Sequence, residues 1–505
     1  MARTSAWIPR LALALVALGI FLRLALYAFD RELGMDETML ALNFVDRSYG
    51  ELFEKLDNRQ GAPIGFLLAS KAIMESFGRS ENALRALPLL AALLSVLLFH
   101  KLSRRVLDPY GMLCALALFA VGEYLIDYAD QLKQYSTDVL IAIGLLLLSL
   151  DAQEARPTAG RLVLFAAAGA AAVWFSHAAV IVLTGVGVTL GVQVLLARDA
   201  RRTLGLVAVG AAWTLSLGLT YFISLRHLTG DAYLQEYWAR AFMPLPLSVS
   251  GLRWYVEAPL DALRNPGGIV LTGVGAFAAL YGGITIYRQN RPRFWLLISP
   301  IVVTLALSAL HQYPFGRRLI LFLVPFFLLF IGAGIGRLFQ DTRESAPLIA
   351  VLVTALLLLQ PVAHGLAGVF TPPDFERTKP VLQYLAAHKQ PQDEVYVYYW
   401  AHYALRFYGP GYGLQPEYNT GIPSREDWLN YVADIEPFRG KPRVWFVFGH
   451  TYPGAGENDQ RFTLTYLNTL GTRLDEYKSR EAAVYLYDLT RPPEKIVAGP
   501  GSLKP

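Results

Sequence analysis

Residues 8–37 read IPRLALALVALGIFLRLALYAFDRELGMDE. The apolar part, residues 8–29, is long enough to cross the roughly 30 Å of hydrocarbon in a bilayer as a helix. Two adjacent carboxylates, Asp36 and Glu37, follow just beyond its end. Ionisable groups beside a bilayer are costly to place and often mark a site. The reading of the whole chain turns on how often it crosses and on which polar groups reach the side of this acidic pair.

The 505 residues are 54% hydrophobic and 17% charged, with mean hydropathy +0.36. Soluble domains average nearer a quarter charged, so the composition is that of a membrane protein. Apolar runs recur at 8–29, 84–103, 110–128, 137–150, 162–197, 204–224, 268–287, 294–311, 317–337 and 346–367. The run 162–197 is too long for one crossing, and Trp174-Phe175-Ser176-His177 splits it. The fold expected is mainly α, a polytopic membrane helical bundle of about eleven spans. Arg3 and Arg10 precede the first run as in a secretory signal. That run is too long for a signal core and no small-residue cleavage site follows, so it reads as a retained anchor. The single cysteine, Cys114, lies within a run and allows no intrachain disulfide. The basic balance sits in short loops where it sets topology, and does not point to nucleic acid.

Basic short loops belong in the cytoplasm. Arg3 and Arg10, Arg104-Arg105, Arg156 with Arg161, Arg198 with Arg201-Arg202, Arg288–Arg293, and Arg337 with Arg343 fit one alternating path if residues 63–77 do not cross. That segment would reach only ~22 Å as a helix, and is read as lying on the outer membrane surface. The outer side then receives the loop 30–83, Asp130, Lys133 and Asp138, Trp174–His177, the loop 225–265, His311–Arg318 and everything after residue 368. The polar groups with chemical potential thus gather on one face.

Composition changes at Pro372-Pro373. Helices are predicted over Val381–His388, Ala401–Tyr408, Asp427–Ile435 and Arg461–Leu470, and strands over Glu394–Trp400, Arg443–Phe448 and Ala482–Tyr487. The alternation indicates a small α/β domain. It has no glycine-rich phosphate loop after a strand, which argues against nucleotide binding. The organisation expected is a transmembrane catalytic domain over 1–370, whose first outer loop is 30–83, then an extracytoplasmic α/β domain over 371–488 and a loose Pro/Gly-rich tail over 489–505.

Asp36 and Glu37 read either as solvated loop acids or as catalytic residues, with Asp36 a general base or a metal ligand; a carboxylate near apolar surface has a raised pKa and can take a proton from a hydroxyl. The segment Tyr128–Asp138 (YADQLKQYSTD) mixes acid and base in a short turn, so Asp130, Lys133, Tyr135 and Asp138 are candidates for substrate binding. Asp138 would equally serve as a helix cap. His177, on an interrupted apolar run, is a structural residue or a hydrogen-bond donor to phosphate or sugar. Arg317 and Arg318 read as interfacial snorkelling residues or as a phosphate clamp. An arginine pair on the outside runs against the positive-inside bias, which favours the clamp. His450, after the RVWFVF strand, reads as a satisfied loop residue.

These segments, in order, resemble the GT-C glycosyltransferases, in particular the branch of protein O-mannosyltransferases and the lipid A aminoarabinose transferase (glycosyltransferase family 39 type). Met35-Asp36-Glu37 looks like the acidic motif of the first outer loop, and Gln60-Gly-Ala-Pro63-Ile-Gly-Phe-Leu-Leu like the membrane-surface helix after it. Phe77-Gly-Arg-Ser-Glu-Asn-Ala-Leu-Arg85 looks like the lead-in to the second span. Tyr128–Tyr135 looks like the second outer loop, Phe175-Ser-His177 like a common interruption, and YPFGRRLILFLVP (313–325) like a late arginine-bearing span. The resemblance implies a polyprenyl-phosphate-linked sugar donor, inverting transfer to a protein, lipid or glycan acceptor, and Asp36 as the catalytic acidic residue of the first loop. It implies a multi-pass protein of the plasma (inner) membrane with its C-terminal domain outside. Some members bind a divalent metal ion, which would place Asp36 among its ligands, and others do without. Relatives often carry Glu-x-Arg in the second loop where this chain has Gln131-Leu-Lys133, which leaves that loop's metal or catalytic role open.

Two other readings compete. A transporter or lipid flippase would place charged groups and broken helices near mid-membrane. Here most acids lie at span ends, with Arg23 and Glu123 the nearest exceptions. A non-catalytic glycan-binding or assembly factor is the third.

Overall fold

The structure is a computed structural model that describes residues 7–154, 158–223, 226, 232–245, 249–370, 376–423, 427–451 and 459–492. Arg3, Arg156, the Pro372-Pro373 boundary and residues 493–505 of the expected loose tail lie outside them. The chain divides into two compact units. One comprises Met1–Asp30 with Arg47–Pro372, and the other Arg31–Asp46 with Pro373–Pro505. The segment Arg31–Asp46, expected within the first outer loop of the transmembrane domain, therefore belongs with the C-terminal unit.

The first unit is helical. Helix α1 (Trp7–Tyr27) leads in; α2 (Met35–Asp46) belongs to the second unit; α3 is Ile64–Phe77 and α4 is Glu81–Val106. Next come α5 (Pro109–Val121), α6 (Glu123–Asp127), α7 (Tyr135–Ala152), α8 (Ala159–Phe175), α9 (Ala178–Leu196) and α10 (Ala200–Ile223). The series closes with α11 (Ala232–Tyr237), α12 (Val249–Arg264), α13 (Thr272–Gln289), α14 (Arg291–Ala309), α15 (Val324–Thr342) and α16 (Pro347–Phe370). Each expected apolar run contains a helix. Among the described residues eight helices are long and apolar enough to cross a membrane, or nine if the bent pair α5–α6 is one span; α8 and α13 are not among them. The protein is a polytopic membrane protein.

Arg23, inside the first apolar run, is explained by packing. The chain bends by 52° between Pro109–Val121 and Glu123–Asp130, which orphans the last carbonyls of α5. The buried Arg23 guanidinium donates to the carbonyls of Phe119 at 3.2 Å and Ala120 at 3.1 Å, and to Gly19 at 2.8 Å. Its role is to join α1 to a helix end, where hydrocarbon offers no other donor. Arg23→Leu is expected to lower stability by ~2–4 kcal/mol, because buried acceptors lose a charged donor, with thermal unfolding of the purified protein as the measurement. A melting temperature equal to wild type would remove this role.

Small residues set the closest helix crossings. On α15, a Cβ at Gly334 would collide with the Ala278 carbonyl of α13, and one at Gly332 would come within 2.6 Å of the Gly111 carbonyl of α5. Glycine lets the backbones touch, which is how helices associate where lipid removes the hydrophobic drive.

The second unit is built on a five-stranded sheet of order β2-β1-β3-β5-β4. Its strands are β1 (Glu394–Val397), β2 (Asn419–Thr420), β3 (Val444–Gly449), β4 (Thr472–Ser479) and β5 (Ala482–Asp488). β1 runs parallel to β2 and β3, while β5 is antiparallel to β3 and β4. The central strand β3 is buried at every position. Helices α17 (Lys379–His388), α18 (Ala401–Tyr408), α19 (Trp428–Ile435) and α20 (Asp459–Leu470) accompany the sheet, close to their predicted ranges. The edge strands β2 and β4 were not expected from the sequence.

Helix α2 is fastened into this unit at both ends. Ahead of it, the Leu33 amide donates to the Tyr408 hydroxyl at 2.8 Å. The Glu32 carboxylate accepts from the amides of Thr378 and Lys379 at 2.7 and 2.9 Å, an anion set on the N-terminus of α17. At its far end Asp46 pairs with Arg406 of α18 at 3.0 Å.

Candidate functional site

In the first unit the candidates lie where α6 gives way to α7. Ser136 Oγ donates to the Tyr128 carbonyl at 2.8 Å and closes this turn. Tyr128 and Tyr135 meet edge to face, their rings 5.1 Å apart. Lys133 is buried and donates to Gln60 Oε1 at 2.6 Å, which ties the turn to the segment ahead of α3. Asp130 is fully buried, 3.7 Å from the equally buried Arg85. Ser80 caps α4 by accepting from the Ala83 amide, and the helix it starts carries Arg85 one turn further in. Asp130 therefore has a cationic partner in the fold itself, which accounts for an acid at such depth.

Asp138 stands in the first turn of α7 and is buried. Ser176 hydrogen-bonds to it, and its Oδ1 makes no hydrogen bond. Ser176 Oγ also accepts from the Ala179 amide at 3.0 Å, so the break between α8 and α9 holds a built polar contact. Its neighbour His177 is half-buried. Tyr313 faces this group: burial first, then Asp138 and Tyr135, push its phenol well above the ordinary tyrosine range. Its hydroxyl donates to the Leu319 carbonyl at 2.6 Å. A Cβ on Gly65 of α3 would meet the Trp174 carbonyl at 2.8 Å, so α3 also packs on this interruption.

The late arginines join the same cluster. Arg318 is within electrostatic reach of Tyr128, and Arg317 of Tyr124. Arg317 has φ of 48°, a left-handed backbone that a side chain with a Cβ adopts at a cost. Arg317 is exposed and Arg318 half-buried. Asp130, Lys133, Tyr135, Asp138, His177, Arg317 and Arg318 thus all belong to one unit, where Tyr128 links Tyr135 with Arg318 and Tyr313 links Tyr135 with Asp138; among the described residues, no contact of His177 joins it to the others. The assembly is a tyrosine-lined end of a helical bundle in which Lys133, Arg317 and Arg318 are the cations that suit an anion presented at a membrane.

Asp36 and Glu37 occupy the first turn of α2 in the second unit. The buried Glu37 accepts from the Gly34 amide at 3.0 Å through Oε2, which is the carboxylate half of a capping box. That bond fixes the start of α2 and with it the half-buried Asp36. Beyond β3, His450 has φ of 49° and its Nδ1 lies 3.5 Å from the buried carboxylate of Glu376. Glu376 raises this imidazole above the ordinary histidine range against the lowering effect of burial, and Glu481 and Asp36 add to the rise. The protonated form of His450 is thus stabilised chiefly by Glu376, with Asp36 the smallest contributor. This histidine was not a candidate in the sequence, where no partner was visible.

No protein-family model matches this sequence, and no curated protein matches it. Solved structures do. ArnT from Cupriavidus metallidurans in the apo state aligns over 96% of this chain and 98% of its own, at 12% identity and TM-score 0.55. ArnT bound to undecaprenyl phosphate aligns over 96% and 98%, again at 12% and 0.55. Archaeal oligosaccharyltransferase AglB from Archaeoglobus fulgidus, in complex with an inhibitory peptide and a dolichol-phosphate, aligns over 94% of this chain and 74% of its own, at 12% identity and TM-score 0.53. The chain shares its fold with these two proteins.

Among the described residues, no group of three or more His, Cys, Asp or Glu side chains comes together to hold a metal ion. Sequence reasoning missed Arg85, Gln60, Ser176, Tyr313 and Glu376 as supports of the candidates. The signal for Arg85 was present: an arginine one turn inside an apolar helix needs a partner. Glu376 had no such signal, because it sits in an ordinary polar stretch.

Proposed function

We propose that this protein is an integral membrane glycosyltransferase that moves a sugar from a polyprenyl-phosphate-linked donor to an acceptor hydroxyl on the extracytoplasmic side. The observation that carries the reading is the GT-C fold shared over 96% of the chain with a protein solved with undecaprenyl phosphate. Nucleotide sugars are cytoplasmic, so glycan assembly outside needs a donor carried on a lipid phosphate. Asp36 acts as general base: the acceptor oxygen bonds to the anomeric carbon while its proton passes to the carboxylate. The bond from that carbon to the phosphate oxygen breaks, and the electron pair leaves with the polyprenyl phosphate. A single displacement inverts the configuration. The departing phosphate needs positive charge more than a proton, and Lys133, Arg317 and Arg318 supply it. Glu37 positions Asp36 through its cap.

The test is transfer from a polyprenyl-phosphate sugar by purified protein in nanodiscs, read by mass spectrometry of donor lipid and product. No turnover of any such donor, together with net solute movement in vesicles, would replace this reading with a transporter. Arg317→Ala and Arg318→Ala are each expected to weaken binding of undecaprenyl phosphate by about tenfold to a hundredfold, the loss of a charge-assisted hydrogen bond of ~1.5–3 kcal/mol. Unchanged affinity in both variants would take the pair out of donor recognition.

A further inference from the structure

Helix α7 has a second polar end. Its first turn carries Asp138; its last residue, 14 positions further along the helix and ~21 Å away, borders a different cavity. This cavity has a volume of about 410 Å³, and Arg105, Gln153, Glu154, Asn290 and Arg293 are among its walls. They come from the end of α4, the end of α7 and the start of α14.

The walls are built. Gln153 Nε2 donates to Gln193 Oε1 at 3.0 Å, and Gln193 Nε2 donates to the Pro292 carbonyl at 3.1 Å. Arg202 of α10 donates to the carbonyls of Ala152 and Gln153 at 3.4 Å. Asn290 caps α14 by accepting from the Arg293 amide at 3.0 Å. Arg105 is committed to Asp151 and Glu154, and Arg161 to Glu154. Arg293 differs: it lines the cavity half-buried, and its guanidinium makes no ion pair among the described residues, whereas Arg202 is held by the two carbonyls. Among the walls, Arg105 and Arg293 stand against the single acid Glu154, so the lining is net positive. A half-buried guanidinium without an ion-pair partner, in a positive cavity, suits an oxyanion, two of whose oxygens its planar fork of terminal N–H groups can take.

We propose that this cavity binds the phosphate of an anionic glycerophospholipid. The cavity lies at the ends of apolar helices, the level at which headgroups meet a membrane protein, and basic pockets between spans suit such headgroups. Trp295, two residues along α14 from Arg293, is 51% exposed, and Leu196 at the end of α9 is 80% exposed. An interfacial aromatic and a bare leucine offer acyl chains a surface. This site lies at the opposite end of α7 from the residues assigned to the sugar donor, and it does not depend on that assignment.

The experiment uses the full-length protein in detergent, with phosphatidylglycerol and phosphatidylcholine of the same acyl chains as probes. Native mass spectrometry is expected to show phosphatidylglycerol retained in preference to phosphatidylcholine, and Arg293→Gln is expected to reduce that retention by about tenfold. Equal retention of the two lipids, or equal retention by the variant, overturns the proposal. A second measurement needs no variant: phosphatidylglycerol is expected to slow phenylglyoxal modification of Arg293 relative to phosphatidylcholine, and equal rates overturn it. If inorganic phosphate without lipid protects Arg293 as well as phosphatidylglycerol does, the cavity takes a soluble anion and the lipid assignment falls. It falls equally if Arg293→Gln weakens undecaprenyl phosphate binding, because the cavity then belongs to the donor.

Discussion

Asp36→Asn is expected to reduce sugar transfer by about 10²–10⁴-fold, the usual worth of a general base, while lipid binding and folding persist. The amide has the size of the carboxylate and leaves the Glu37–Gly34 cap of α2 in place. An acid in the first turn of a helix is worth only ~0.3–1 kcal/mol through the helix dipole, so the fold tolerates its loss. Turnover should fall with no matching change in affinity for the lipid-linked donor. Transfer at the wild-type rate by a folded Asp36→Asn protein would assign proton removal elsewhere. The same variant offers a route to the sugar: a folded enzyme that binds donor without consuming it should co-purify with it, and mass spectrometry of the bound lipid would identify it.

Arg85→Met is expected to cost about 3–5 kcal/mol of stability, the largest structural effect among the changes considered. The reason is asymmetry. Arg85 and Asp130 are both almost wholly buried and lie 3.7 Å apart. Removing one leaves the other as a buried charge poorly compensated in a low-dielectric interior. Thermal unfolding of the detergent-solubilised protein measures this. Adding Asp130→Leu to Arg85→Met should recover part of the loss, because an apolar pair of similar volume tolerates burial. If Arg85→Met instead melts like wild type yet fails to transfer sugar, the pair serves the reaction rather than the fold. The outcome also bears on Asp130, proposed from the sequence as substrate-binding: a residue paired within the core acts on substrate by shaping the second loop.

Much of the fold is legible in the chain because hydrophobic runs have a length scale of their own. A bilayer requires about 20 apolar residues per crossing, and the runs report this without any knowledge of neighbours. The break at Trp174–His177 was visible for the same reason, and the structure turns it into the α8–α9 junction that holds Ser176 against Asp138. In the C-terminal unit β3 was visible as RVWFVF because a central strand is apolar on both faces. Strand β4, TRLDEYKS, was not visible. An edge strand carries charge to discourage further pairing, and so reads as a loop.

The sequence by itself determined which residues are apolar enough to cross, where polar side chains interrupt them and which residue types are available for chemistry. It determined these things because they depend on local composition and period. Only the tertiary structure decided who answers whom. Leu33 meets Tyr408 across 375 positions, Glu32 caps a helix that begins at Lys379, and His450 is held by Glu376. Taken alone, Glu32, Glu376 and His450 fit a solvated loop. Their meaning comes from long-range hydrogen bonds and ion pairs, whose partners no local pattern encodes.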